Sequence, residues 1–294
     1  MKILESIYNS LINLFLTLKS IIKIIVSSRP VKRNKNLLGK NEIVVLGNGP
    51  SLRTTIDNHS DFLRNKELFV VNAFVDAEEY TLLKPSNYII VDPQFWINSP
   101  IPKMNEFTKN ILNGIITKTT WPLSLYIPLE AKKNKAFIEK LKTNKHIKVI
   151  LFNKTTIKGF DWFVFGCMKL GIGIPRPENI LIPALVLSIN MGFKTIYLAG
   201  ADHSWHENIK IADDNTIIRK EGHFYDAEKS NVSVIRDIFT GKPIHIHQLF
   251  ESYVIAFKNY HTIETYAVKR GIKIYNISEK SFIDAFKRIK LSNQ

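Results

Sequence analysis

Hydrophobic positions along the chain fall into two regimes. Between residues 3 and 26, Leu4, Ile7, Leu11, Leu14, Phe15, Leu18, Ile21, Ile22 and Ile25 recur at three- and four-residue steps, while Glu5, Ser6, Asn9, Asn13, Thr17, Ser20 and Lys23 follow the opposite face. That spacing predicts one amphipathic helix. Beyond residue 41, short apolar runs predict strands near 43–46, 68–72, 87–91, 147–152, 194–199 and 272–276. Helical periodicity appears around 131–142, 160–170, 180–191, 247–270 and 279–289. Strands separated by helices predict an α/β fold, a Rossmann-like, mainly parallel sheet with helices on both faces. Pro100, Pro102, Pro122 and Pro128 mark a less regular middle, and residues 203–247 carry no sustained pattern, as expected of a lid or binding loop.

The same pattern divides the chain into a helix over 1–28, a basic linker over 29–41 and an α/β domain over 42–294 with its lid segment at 203–247. Charge sharpens the reading of the first part. The 294 residues carry a net charge of +15, and residues 1–40 hold eight Lys or Arg against Glu5, a local excess of +7. Lys19 and Lys23 interrupt a spanning segment, and no small-residue cleavage site follows, so the helix is expected to lie on a membrane rather than cross it or be removed. An apolar face followed by Arg29, Lys32, Arg33, Lys35 and Lys40 is a two-signal arrangement for an anionic membrane surface, engaged through residues 1–35. The expected location is peripheral, on the cytoplasmic face of the inner membrane. The alternative is a helix that docks on the domain or pairs with a second copy of the chain. Nucleic acid is disfavoured as a partner, because the basic residues form no recognised module. The single cysteine, Cys167, sits in an apolar run and fits a buried thiol in a reducing compartment.

The first strand runs directly into Gly47-Asn48-Gly49-Pro50-Ser51, a turn that lets backbone approach a ligand and offers Ser51 as a helix cap or phosphate donor. It is neither the dinucleotide fingerprint, since Leu52 stands where a third glycine belongs, nor a P-loop, since no Gly-Lys-Ser/Thr follows. Ligands in parallel sheets bind beyond the carboxyl ends of the strands. Those exits carry Asn48 and Ser51, Asn72, Asp92, and Asp202 with His203. The lid holds five of the eight histidines, at 203, 206, 223, 245 and 247, but without cysteines or a clear carboxylate partner a zinc site is disfavoured.

The turn, the Val71-Asn72-Ala73-Phe74 strand end, the Val91-Asp92-Pro93 exit and the run from Met191 to Asp202 resemble the bacterial CMP-sialic-acid-dependent sialyltransferases of glycosyltransferase family forty-two. They are equally similar to the hydroxymethylpterin pyrophosphokinase-like domains of surface-polysaccharide and flagellin-glycosylation genes. The resemblance runs in order over roughly residues 42–290. It implies that Asn48, Ser51 and Asn72 hold the cytidine nucleotide, with Asp92 in place of a family asparagine; Gly47, Gly49, Pro50 and Asp202, at the same turn and exits, are further candidates for the nucleotide site. It implies that Arg176 lies near the donor sugar, where Pro177, Glu178 and Asn179 replace the family's small polar residues, leaving Asn179 a candidate contact. It also implies that His223, in Glu221-Gly222-His223-Phe224-Tyr225, is the general base of a lid and that Tyr225 contacts the leaving phosphate. An imidazole of ordinary pKa suits that task. His203, next to Asp202, is the competing base.

No Asp-x-Asp occurs anywhere in the sequence, the nearest feature being Asp213-Asp214. A nucleoside-monophosphate leaving group can be stabilised by hydroxyl, amide and guanidinium donors without a divalent ion. The expectation is therefore a metal-independent, cofactor-free transfer of an acidic sugar from a CMP-activated donor to a glycan or glycolipid acceptor. Two alternatives stand beside it: a pyrophosphokinase-like transferase using ATP and magnesium on Asp92 and Asp202, and a membrane-tethered nucleotide-binding scaffold.

Overall fold

A computed structural model describes residues 2–31, 39–221, 224 and 231–292. The elements run α1 (Lys2–Ser27), β1 (Glu42–Leu46), α2 (Leu52–Arg64), β2 (Glu67–Val71), α3 (Glu79–Leu83), β3 (Asn87–Ile89), α4 (Pro102–Lys118), β4 (Leu123–Pro128), α5 (Lys135–Lys142), β5 (Ile147–Phe152), α6 (Asp161–Leu170), α7 (Leu181–Met191), β6 (Thr195–Ala199), β7 (Ile209–Ile211), β8 (Ile217–Glu221), β9 (Asn231–Val234), α8 (Ile246–Lys269), β10 (Lys273–Asn276) and β11 (Lys287–Arg288).

Eight strands form one sheet in the order β11-β10-β6-β1-β2-β3-β4-β5, and every neighbouring pair is parallel. Strand β1 is central because both its faces are apolar. Ile43 and Val45 pack with α6, α7 and α8, whereas Val44 and Leu46 pack into a second core with α2 and α4. Burial on both faces is why these strands read as continuous apolar runs rather than alternations. Chain order reverses between β1 and β6, so their exits flank the topological switch point.

Three elements depart from the expected pattern. The proline-rich middle contains a long helix, α4, with Pro102 in its first turn and Thr108, Ile111, Leu112 and Ile115 buried on one face, followed by the fully paired strand β4. Part of the 203–247 segment folds as a separate antiparallel sheet, β7-β8-β9. The stretch 279–289 is not a helix. It wraps the sheet edge and ends in β11, with the Phe282 amide donating to Asp202 O at 2.9 Å and Ser281 Oγ to Ala201 O at 2.6 Å. Ile283 and Phe286 are buried there, so a three-residue apolar spacing has arisen from an irregular edge segment.

Helix α1 docks through Thr17 and Ser20, in the carboxyl-terminal half of its polar face. Thr17, Ser20 and Ser28 are buried against the loop after β5, while Ile3, Leu4, Leu11, Phe15, Ile22 and Val26 on the rest of its surface are exposed. Thr17 Oγ1 accepts from the Phe160 amide at 3.2 Å and Ser20 Oγ from the Lys158 amide at 2.9 Å. Ser28 Oγ reaches Ile172 O at 2.6 Å, and Asn153 clamps the end of the helix by accepting from Arg29 N at 3.0 Å and donating to Arg29 O at 2.8 Å. The contact is close because residue 159 is glycine, with φ of +134°, and a Cβ there would overlap Thr17. Soluble helices bury the apolar stripe and expose the polar one; in α1, Thr17 and Ser20 are buried while most apolar positions are exposed. By length and composition alone, Ile3–Ser27 is long and apolar enough to cross a membrane.

The docking is testable at Gly159. Overpacking at a tight contact typically costs about 1–3 kcal/mol, so Gly159→Ala should accelerate amide exchange over Thr17–Ser28 by about fivefold or more while β1 and β6 stay protected. Unchanged exchange in α1 would refute the docked arrangement.

Candidate functional site

At the switch point the glycine turn is bound to the exit of β6. Gly47 N donates to Ala199 O at 2.8 Å and Gly49 N to Gly200 O at 2.9 Å. A Cβ at Gly47 would overlap Gly200 O, and one at Gly49 would overlap the Asp202 carboxylate. Asp202, only 5 % exposed, accepts from Ser51 N at 3.3 Å and from Ser51 Oγ at 3.0 Å. Ser51 immediately precedes α2, so the carboxylate occupies the anion-favouring start of that helix. The amide and hydroxyl expected to face a phosphate are thus engaged by a side chain of the same fold. Pro50 takes part in the first turn, its carbonyl accepting from Arg53 N at 3.2 Å. Burial pushes the Asp202 carboxyl above its usual range, opposed by the Ser51 hydrogen bonds.

Asn48 lies between these exits. Its Nδ2 donates to Val71 O at 3.1 Å, while its buried Oδ1 has no partner, an acceptor poised for a ligand donor. The Asn48 carbonyl accepts from the Phe224 amide at 3.3 Å. The Phe224 ring packs 5.5 Å from Phe74 and lies beneath the Arg53 guanidinium. A residue of the 203–247 segment therefore rests on the glycine turn.

A cleft of about 1640 Å³ opens beside this region, over the exits of β2, β3 and β5. Asn72, exposed and in a left-handed conformation with φ of 48°, and Asp92 line one side, and Arg176 and Asn179 line another. The left-handed backbone at Asn72 is held by Tyr88, whose hydroxyl donates to the Asn72 carbonyl. Asp92 accepts from Gln94 N at 3.1 Å. Burial raises the Asp92 carboxyl, opposed by that bond and by Lys154. Arg176 pairs with Glu178 through Nε. Asn179 Oδ1 accepts from Leu181 N at 2.8 Å and from Tyr260 Oη at 3.2 Å. Sequence reasoning passed over the other cations of the cleft, Lys133, Lys135, Lys154, Arg219 and Arg236. Lys154 follows the exit of β5 and was open to the strand-exit rule, whereas Arg219 and Arg236 come from the β7-β9 region, which had no periodic signal.

His203 is 5 % exposed. Its Nε2 meets Tyr260 Oη at 2.7 Å, and its ring stacks 4.0 Å from Trp205. Burial pushes its pKa down to about 3, so the ring is neutral across the physiological range. It is linked through Tyr260 to Asn179 in the cleft wall. His223 and Tyr225 lie outside the described residues. His245 caps α8, its amide donating to Gln248 Oε1 at 2.8 Å. Among the described residues, no three His, Cys, Asp or Glu side chains converge as a metal site would require.

Removing the Asp202 carboxylate strands the Ser51 donors, which typically costs about 1–3 kcal/mol. Asp202→Ala should be destabilised by that amount, and Asp202→Asn, which keeps one acceptor, by less. Because the native carboxyl holds its proton more tightly than the unfolded one, its contribution is greatest below its ordinary value of 3.8 and declines as pH rises through the raised native value. The stability of wild type relative to D202N, read from urea melts, should therefore fall over that window.

No family model matches the chain, and no curated protein matches it. Among solved structures, the MAf glycosyltransferase from Magnetospirillum magneticum AMB-1 is similar, with a TM-score of 0.48 and 8% identity over 90% of this chain and 35% of that one. The chain thus spans about a third of the length of that neighbour.

Proposed function

We propose that the chain is a metal-independent glycosyltransferase that moves an acidic sugar from a CMP-activated donor to a surface glycan or glycolipid acceptor. The observation that carries this reading is the composition of the cleft. Strand-exit polar groups at Asn72 and Asp92 face a set of guanidinium and ammonium groups that includes Arg176, Arg219, Arg236 and Lys154. A nucleoside monophosphate needs hydrogen-bonding partners for its base and ribose, and cations for one phosphate and for the sugar carboxylate. Asn48 adds an unsatisfied buried acceptor at the adjoining exit. Gly47, Gly49 and Ser51 act by fixing Asn48 in place.

In this reading Arg176 binds the sugar carboxylate, Tyr225 the departing phosphate, and His223 removes the proton from the acceptor hydroxyl as that oxygen attacks the anomeric carbon and CMP leaves. Support for the lid comes from Phe224, the residue after His223, seated on Asn48. The neutral, buried His203 fits a positioning role, holding Tyr260 and through it Asn179. The outward apolar surface of α1 supports a membrane-associated enzyme. Because Thr17 to Ser28 is held against the domain, attachment along the membrane surface keeps that contact, whereas crossing the bilayer would break it.

CMP should raise the melting temperature of the full chain, as any ligand selective for the native state does; stabilisation by ATP with magnesium alone would favour the pyrophosphokinase. Asn72→Ala should weaken CMP binding. His223→Ala should reduce transfer by about 100 to 10,000-fold while leaving CMP affinity nearly intact, since a general base contributes chiefly in the transition state. Near-normal transfer by that variant would remove His223 from the mechanism.

A further inference from the structure

A second concavity, of about 1180 Å³, lies between the carboxyl end of α1 and the sheet edge at β5. Its apolar lining includes Val26, Val149, Ile150 and Leu151. Val26 is exposed and belongs to the outward apolar surface of α1, so lining and helix surface are continuous.

Around this lining stand Lys23, Arg29, Lys132, Lys133, Lys148 and Lys154, against a single carboxylate, Glu130. Lys154 is paired with Glu130 at 2.8 Å, and Arg29 is spent on carbonyls at the end of α1, the nearest being Ser28 O at 2.7 Å. Among the described residues, Lys23, Lys132, Lys133 and Lys148 have no acidic partner. A lysine on an edge strand such as Lys148 is a common guard against strand pairing. Lys23 and the Lys132-Lys133 pair come from two other elements, and edge protection does not account for their convergence. Like charges gathered over an apolar floor repel one another unless an anion joins them.

The groove also communicates with the cleft. Glu130, Lys133, Lys154 and Thr156 line both, so the Glu130–Lys154 ion pair stands at their shared wall. A ligand with its apolar chain toward α1 and its anionic group among the lysines would direct whatever it carries past this wall toward Asp92 and Arg176.

We propose that the groove between α1 and β5 binds the phosphate and proximal apolar chain of a membrane-anchored acceptor lipid and presents its headgroup to the cleft. The acceptor role rests on the transferase reading; binding of an alkyl phosphate does not. Charge complementarity selects an anionic amphiphile over a neutral one, and continuity with α1 selects a membrane lipid over a soluble anion.

The test uses the full chain with dodecyl phosphate carrying a photoreactive diazirine in its alkyl chain, and a second probe with the diazirine beyond the phosphate. The chain label should crosslink α1 and β5 near Val26, Val149 and Leu151, and the head label should crosslink the cleft around Trp96 and Arg176. Lys132→Glu combined with Lys148→Glu should weaken dodecyl phosphate binding by about 30-fold or more, and the Lys→Gln pair by less. Both should keep the wild-type melt and the CMP-induced stabilisation. Equal binding by wild type and the Glu pair, or equal binding of dodecyl maltoside, would overturn the groove as an anionic-lipid site. Displacement by inorganic phosphate at matched concentration would reduce it to a free-anion site and overturn it likewise. If both labels crosslink only α1 and β5, the lipid is structural and the acceptor role is overturned. Absence of CMP stabilisation in wild type would strike the transferase reading alone, because alkyl phosphate binding is decided by the two probes and the lysine variants.

Discussion

The arrangement depends on the contact between the exits of β1 and β6. Two backbone hydrogen bonds at 2.8 and 2.9 Å bring Gly47 and Gly49 onto Ala199 and Gly200, and the Asp202 carboxylate closes the join by accepting from Ser51. The spacing tolerates no side chain on either turn glycine. A Cβ at Gly200, whose φ is +63°, would also lie 2.7 Å from Leu52 Cβ at the start of α2. This one join fixes where α2 begins and where Asn48 points. It also fixes where the edge segment that bonds Asp202 O returns.

That constraint shifts the candidate site sideways. With the helix start neutralised by an internal carboxylate, the open cleft lies toward β2, β3 and β5, where Asn72 and Asp92 leave the sheet. Its cations come from several separate segments, including the loop before α7, the exit of β5 and the β8 strand. An anion bound there would meet positive groups from several sides, of which Arg176 and Lys154 are already paired with Glu178 and Glu130. Electrostatic stabilisation of a leaving group works this way when donors are preorganised.

Helix α1 leaves most of its apolar surface uncovered by the protein. Its hydroxyl groups are satisfied by loop backbone, which costs little because the partners are near and well aligned. Apart from Ile24, which packs on the core, and the half-buried Leu16, its apolar side chains are left exposed by the protein and would gain from lipid. The carboxyl end of this helix forms one wall of the basic groove, so the element that would meet the bilayer also borders a route to the cleft.

Much of this was legible in the sequence. Residues 43–46 and 194–199 read as buried strands because apolar residues on both faces leave a continuous run, and the helices over 160–170 and 180–191 read from their period. The polar strand exits at Asn72 and Asp92 followed from topology alone, since parallel strands discharge on one edge. What the tertiary structure decided was how polar groups are spent. Ser51 and Asp202 both looked available to a ligand, yet they satisfy each other across 151 residues of chain. Thr17 and Ser20 read as part of a polar face opposite the apolar one and became docking residues, because a distant glycine lets the loop approach. Apolar periodicity is local and survives in sequence, whereas a hydrogen-bond partner or a converging charge is set by which distant segments the fold brings together.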